Sequence, residues 1–314
     1  MAERATKRVR TTMGQLCSSP KTNAVSSGGG GAATEVAAPE FASSCLIPTT
    51  PAPFKLVSRR EYNHDSTIYE FGLPEGKSLS LPTCACILAI APGIGADGAD
   101  VVRPYTPMSD DSLRGKFQLL VKRYPSPRDG VPPGLMSNHL FGLAVGDEVL
   151  FKHIAFNVKI AYPFVAYKSV SMVCAGTGIT PMFQALQRLL DTPGDTTKVA
   201  MLYGNKTVED ILLRGELEAY AKKHADRFRL VMVVGQGKDD EGPPGWHEAG
   251  NDSGWIDEEK VAKYCHPPAD DTCVFVCGVP PMYNALCGPR DQKEIKEGST
   301  LHKLGYANGS CFKF

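Results

Sequence analysis

Near Ser169 the apolar pattern of this chain changes its period. Before that point, short runs alternate with Gly, Pro and Asp: Phe54-Lys55-Leu56-Val57, Thr67-Ile68-Tyr69-Glu70-Phe71, Ala85 to Ala91, Phe117 to Lys122 and Glu148 to His153. Short strands at such regular spacing predict an antiparallel barrel or sandwich. Beyond it, continuous apolar runs alternate with amphipathic segments: Val170 to Cys174, a helix from Pro181, Val199 to Tyr203, a helix from Val208, Phe228 to Val234, and Val274 to Cys277. Strands without polar alternation, separated by helices, predict a parallel α/β sheet. Two domains in series are therefore expected, a β-barrel over residues 53–155 and an α/β domain over 169–314, with 156–168 as linker. A length of 314 residues holds both.

Local chemistry sharpens the helix starts. Thr180 ahead of Pro181 predicts an N-cap followed by proline at the first helical position. Thr207-Val208-Glu209-Asp210 resembles a capping box with Asp in the last place. Residues 236–255, which include both tryptophans, show no period and predict no regular element.

Composition removes several function classes. Lys plus Arg (34) balance Asp plus Glu (34), so the chain lacks the basic field that nucleic-acid binding draws on. No run approaches the roughly 18 apolar residues of a membrane span; the most apolar one stops at Pro92-Gly93. Ten cysteines occur without a C-x-x-C pair. That spacing fits a reduced, intracellular chain better than a disulfide framework, and it matches neither a zinc ribbon, covalent haem attachment nor a plant-type iron–sulfur cluster. No metal site is expected, and any redox chemistry must use another cofactor.

Residues 1–52 read as a mostly disordered tail, with four consecutive glycines at Gly28 to Gly31. Its first 34 residues are basic, containing Arg4, Lys7, Arg8, Arg10 and Lys21 against Glu3, which suits a mitochondrial presequence. Met13-Gly14-Gln15-Leu16-Cys17-Ser18 also matches a myristoylation pattern with a palmitoylatable cysteine, if translation starts at Met13. Two acyl chains would give peripheral attachment to a membrane, at the cytosolic face of the endoplasmic reticulum or the mitochondrial outer membrane. A plain disordered leader is the third reading.

Four segments carry recognisable chemistry. Ala175-Gly176-Thr177-Gly178-Ile179-Thr180-Pro181 leads from a buried strand into a helix, where glycines admit a pyrophosphate and the helix start offers free N–H groups. An ordinary tight turn explains this stretch equally well. Cys277-Gly278-Val279-Pro280-Pro281-Met282 repeats the arrangement at another strand end, so the two should line one crevice. For Cys277 alone, a buried small hydrophobe is the commoner role. Arg103-Pro104-Tyr105-Thr106-Pro107-Met108-Ser109 places a cation, a ring and hydroxyls on one strand edge; taken alone it reads as a turn with a surface arginine. Gly134-Leu135-Met136-Ser137-Asn138-His139-Leu140 reads as another helix start open to an anion.

These four segments, with Tyr203 to Glu218 and the final Phe314, occur in the order found in the NADH-cytochrome b5 reductases, and from about residue 53 onward the chain resembles that family. It lies within the ferredoxin-NADP reductase-like flavoenzymes. The stretch from Lys152 to Phe164 is similar to the linker of plant and protist forms. The resemblance implies a Greek-key FAD-binding barrel and a Rossmann-like NADH-binding domain; a monomer is the default expectation. It implies that Arg103, Pro104, Tyr105 and Thr106 contact the flavin, Arg103 at the pyrophosphate and Thr106 at the reactive ring. Leu120, Lys122 and Tyr124 match the adjacent FAD-binding strand, and Gly134, Met136 and Ser137 the second pyrophosphate segment. Thr180 reaches the flavin from the other domain. Gly176, Thr177 and Gly178 cradle NADH; Cys277, Gly278 and Pro280 border the nicotinamide, with Phe314 nearby.

The implied activity is hydride transfer from NADH to FAD, then single-electron transfer to cytochrome b5 or a similar small haem protein. Thr106, Lys122 and Cys277 are the candidates for catalytic positions, although Lys122 also reads as a solvated strand lysine and Cys277 needs no nucleophilic role. Hydride transfer requires no general base, so His64, His139 and His153 receive no catalytic assignment. Leu135 stands where many members have lysine, and Gly235 near the position of an aspartate that repels NADPH. Both departures touch selectivity. The alternatives are the same fold with another acceptor (a ferredoxin-like or oxygenase component, or a quinone) and a non-catalytic nucleotide-binding module.

Overall fold

The computed structural model describes residues 45–126, 132–154 and 158–314. The expected disordered leader up to residue 44, its acylation pattern at Gly14 and Cys17, and linker residues 155–157 lie outside the described residues. Six strands make the first sheet: β1 (Ala52–Glu61), β2 (Ser66–Gly72), β3 (Ile87–Ala91), β4 (Val101–Tyr105), β5 (Lys116–Lys122) and β6 (Glu148–His153). They pair antiparallel in the order β4-β3-β6-β1-β2-β5, a Greek-key sheet curled into a half-barrel. Its edges meet again just past β4, where the Met108 N–H donates to the Gln118 carbonyl at 2.9 Å. Phe54, Phe71, Phe117 and Phe151 come from four strands and pack with ring centroids 4.8 to 6.0 Å apart. Mostly edge-on, they supply both area and a fixed geometry to this core. Residues 45–50, read from sequence as tail, pack on the half-barrel: Ile47 is buried in its core and Leu46 N–H donates to Leu79.

The second sheet is wholly parallel. It contains β7 (Ser169–Ala175), β8 (Lys198–Asn205), β9 (Phe228–Val234), β10 (Asp252–Ser253), β11 (Thr272–Cys277) and β12 (Cys311–Lys313) in the order β10-β9-β8-β7-β11-β12. The α-helices among the described residues are α1 (Leu135–Gly142), α2 (Ile179–Asp191), α3 (Arg214–Lys223), α4 (Glu258–Tyr264), α5 (Pro280–Leu286) and α6 (Thr300–Lys303). Strand order reverses beside β7, and that reversal opens a crevice at the carboxyl ends of β7 and β11. No helix among the described residues is long and apolar enough to cross a membrane.

Two helix starts differ from expectation. Thr180 is not an N-cap: α2 begins at Ile179 after a single 3-10 turn over Gly176–Gly178, and the Thr180 hydroxyl donates back to the Thr177 carbonyl at 3.2 Å. The helix expected from Val208 begins at Arg214. Asp210 accepts from the N–H and hydroxyl of Thr207, closing a turn. Ile211, Leu212 and Leu213 are then buried between the domains, with Leu212 N–H donating to Tyr203 Oη (3.2 Å) and Leu213 N–H to Tyr62 Oη (2.8 Å). Burial of this triplet overrides its helical pattern. The unassigned 236–255 segment is folded as well: Trp246 is buried, its Nε1 donates to the Asp252 carbonyl at 2.6 Å, and β10 lies at its end.

Candidate functional site

One cleft of about 1150 Å³ runs between the half-barrel and the parallel sheet. That exceeds the roughly 300–1,000 Å³ of a site for one drug-sized ligand. Every residue named from sequence as a site candidate lines it: Arg103 to Thr106, Leu120, Lys122, Tyr124, Gly134, Met136, Ser137, Gly176 to Gly178, Thr180, Cys277, Gly278, Pro280 and Phe314.

The barrel wall is built by the ends of β4 and β5 and the start of α1. Arg103 and Pro104 are exposed on β4, whereas burial pushes the Tyr105 phenol well above its ordinary pKa despite the nearby Arg103. Tyr105 therefore presents a neutral ring. At the next strand end, Gly134 N–H donates to the Tyr124 carbonyl at 2.9 Å, and Ser137 Oγ both accepts from Tyr124 N–H (3.2 Å) and donates to the Gly134 carbonyl (3.0 Å). A Cβ on Gly134 would lie 2.5 Å from that hydroxyl oxygen, so glycine is needed to seat the helix start. Met136 is buried in the barrel core, which leaves its backbone N–H, in the unpaired first turn, as the group it offers the cleft.

The opposite wall is formed by two strand-to-helix turns. Gly176 has φ +52°, and a Cβ on Gly178 would fall 2.2 Å from the Cys277 carbonyl oxygen. The β7–α2 and β11–α5 turns are thus in backbone contact, an approach that only glycine permits. At Gly278 the nearest obstacle to a Cβ is the mobile end of Met282, a weaker constraint. α5 starts as expected, with Pro280 and Pro281 in its first turn. Burial pushes the Cys277 thiol up to about 11, so it is protonated at neutral pH. Its sulfur lies 4.0 Å from the Phe314 carbonyl, which also accepts the Tyr283 hydroxyl. These bonds hold the Phe314 end of the last strand at the cleft.

Lys122 is not a solvated strand lysine. Its Nζ lies 2.7 Å from Asp65 and 2.9 Å from Asp210, and its side chain is 14% exposed. His64 joins them at 3.5 and 3.6 Å. Asp210 belongs to the α/β domain, so this cluster ties the two walls together. Burial raises the Asp210 carboxyl, but the hydrogen bond and charge of Lys122 outweigh burial and hold it below its ordinary value. Sequence reasoning missed Asp65 and Asp210 as site residues, because their partnership spans 145 positions and leaves no local signal. It also missed Trp255, the last residue of the segment without period, and the adjoining Ile256, both of which line the cleft. A tryptophan in a Gly/Pro-rich stretch was the available sign.

These features fit FAD and a nicotinamide dinucleotide. Two glycine-opened helix starts face a shared cleft with an exposed arginine and a neutral aromatic ring, a donor set for pyrophosphates and flat rings.

Comparison with known proteins agrees. Residues 53–157 match the model of an oxidoreductase FAD-binding domain, and residues 172–288 that of an oxidoreductase NAD-binding domain. NADH-cytochrome b5 reductase 2 of Saccharomyces cerevisiae is 38% identical over 81% of this chain and 80% of its own. NADH-cytochrome b5 reductase 1 of Arabidopsis thaliana is 33% identical over 91% and 92%. Among solved structures, the cytochrome b5 reductase domain of Ulva prolifera nitrate reductase superposes with a TM-score of 0.70 at 32% identity, over 86% of this chain and 98% of that one. A ferredoxin NADP+ reductase from Neisseria gonorrhoeae shares the fold at 18% identity and a TM-score of 0.59. The chain belongs to the NADH-cytochrome b5 reductase family of FAD- and NAD-binding oxidoreductases.

Proposed function

We propose that this protein takes a hydride from NADH onto FAD and passes electrons singly to cytochrome b5 or a similar small haem protein. The observation that carries the reading is the convergence of both barrel segments and both glycine turns on one cleft. FAD, when bound, supplies the redox chemistry, accepting two electrons together and releasing them one at a time. The work of the chain is positioning. Arg103 and the first-turn N–H groups of α1 neutralise the flavin pyrophosphate, while Pro104, Tyr105, Leu120 and Tyr124 shape the flavin's side of the cleft. Thr106 donates a hydrogen bond to the flavin ring, and Thr180 approaches it from the opposite wall. The Gly176–Thr177–Gly178 turn admits the dinucleotide pyrophosphate; Cys277, Gly278 and Pro280 flank the nicotinamide; Phe314 covers the site. Lys122, held by two carboxylates, orients the nicotinamide instead of titrating. Thr106, Lys122 and Cys277 are thereby the catalytic positions, with Cys277 acting as a neutral wall.

We further propose a monomer which, if translation starts at Met13, is attached peripherally to a membrane through acylated Gly14 and Cys17. The acceptor face is less charged than a lysine would make it, since Leu135 is 46% exposed at the cleft rim. An anaerobic absorbance spectrum tests the whole reading. The purified protein should show a flavin band that NADH bleaches and that returns as added oxidised cytochrome b5 is reduced. Bleaching without haem reduction would move the acceptor to the ferredoxin-like, oxygenase or quinone alternatives. Absence of a flavin band after adding FAD would replace the enzyme with a nucleotide-binding module.

A further inference from the structure

A second recess of about 380 Å³ adjoins the main cleft and shares Lys206 and Gly235 with it. It opens at the carboxyl ends of β8 and β9, one and two strands away from the β7–α2 turn. With a dinucleotide's pyrophosphate at that turn and its nicotinamide toward β11, the adenosine ribose must lie over β8 and β9. The ionisable groups lining this recess are Lys206, Glu209, Asp240 and Glu241, three carboxylates against one ammonium.

Dinucleotide folds distinguish NADH from NADPH with an acid that accepts the ribose hydroxyls and repels a 2′-phosphate. Here β8 runs into Asn205-Lys206 and β9 into Gly235, so neither strand end provides one. The 236–255 loop does. A Cβ on Gly235 would meet the Gly254 backbone at 2.9 Å and the Asp240 Cβ at 3.1 Å, so no side chain fits at 235 and Asp240 stands directly beside that strand end. Its carboxylate accepts the N–H groups of Gln236 and of Gly237, the latter at 2.9 Å, which fixes it at the recess and keeps it ionised.

We infer that Asp240 selects NADH over NADPH, standing in from the loop for an acid absent from the strand ends, and that Lys206 would bind a 2′-phosphate if Asp240 lost its charge. This rests on the dinucleotide reading of the cleft. The test uses the FAD-loaded enzyme and two probes, 5′-ADP and 2′,5′-ADP, with binding measured by calorimetry, alongside kcat/KM for NADH and NADPH. Asp240→Asn keeps an acceptor for the loop N–H groups but removes the charge; Asp240→Ser is the second variant. Both should raise affinity for 2′,5′-ADP relative to 5′-ADP by about tenfold or more, and the NADPH to NADH ratio of kcat/KM likewise. Equal weakening of both probes, with ratios within twofold of wild type, would make Asp240 a loop brace and overturn the inference. Wild-type enzyme that binds neither probe would instead overturn the dinucleotide reading itself.

Discussion

Arg103 and Thr106 sit three residues apart on one strand edge but are assigned separable tasks, binding and tuning. Arg103→Ala should lose FAD during purification, read as the ratio of flavin to protein absorbance, because a permanent pyrophosphate partner is gone. Thr106→Val preserves shape and removes a hydroxyl. It should retain FAD while stopped-flow reduction by NADH slows by about tenfold, the scale of one lost hydrogen bond to a reacting group. Normal flavin content and rate in both variants would remove the assignment. At this scale the sequence was legible as to place: Gly134, Gly176, Gly178 and Arg103 all line the cleft, although each local segment taken alone read equally well or better as an ordinary turn. Asp65 and Asp210 were illegible for a different reason, since Lys122, the group they hold, is brought near them by folding.

Among the elements, the contact between the two glycine turns is the most sharply constrained. Gly178 has φ −62°, a conformation alanine adopts freely, so backbone strain does not enter. The obstacle is the Cys277 carbonyl, which has no flexible end to swing aside. Gly178→Ala should therefore cost about 1–3 kcal/mol in urea unfolding and spread the turns, raising KM for NADH more than it alters FAD content. Equal KM would show that the turn does not cradle the dinucleotide. Strand positions such as β9 and β11 were readable from continuous apolar runs. The start of α3 was not, because Ile211 to Leu213 answer to the interdomain core and not to helical period.

For the molecule as a whole, the Lys122 cluster should make stability pH-dependent. Asp210 has a folded-state pKa below its unfolded one, so its contribution is fully present above the unfolded value, roughly 3.9, and is lost as pH falls through the lower folded value. Asp210→Asn should reduce stability near pH 7 by roughly 1.5–3 kcal/mol, the range for a hydrogen bond to a charged group. The difference from wild type should narrow below about pH 4. A difference independent of pH would show that Asp210 contributes shape alone. The two-domain division was legible as a change of period at Ser169, yet the period carries no information about how the halves meet.

They meet through a shared core. Ile68, Cys84, Met108 and Leu120 of the half-barrel pack in one buried cluster with Ile179, Met182, Phe183 and Leu212, and Cys84 N–H donates to Gln184 Oε1 at 2.6 Å. Cutting the chain at its linker would expose both faces of that cluster to water, so each half alone would carry an uncovered apolar face. A chimera that takes its barrel from one relative and its nucleotide domain from another must therefore inherit both sides of this seam together, and exchange between such enzymes is limited by buried surface more than by matching cofactors.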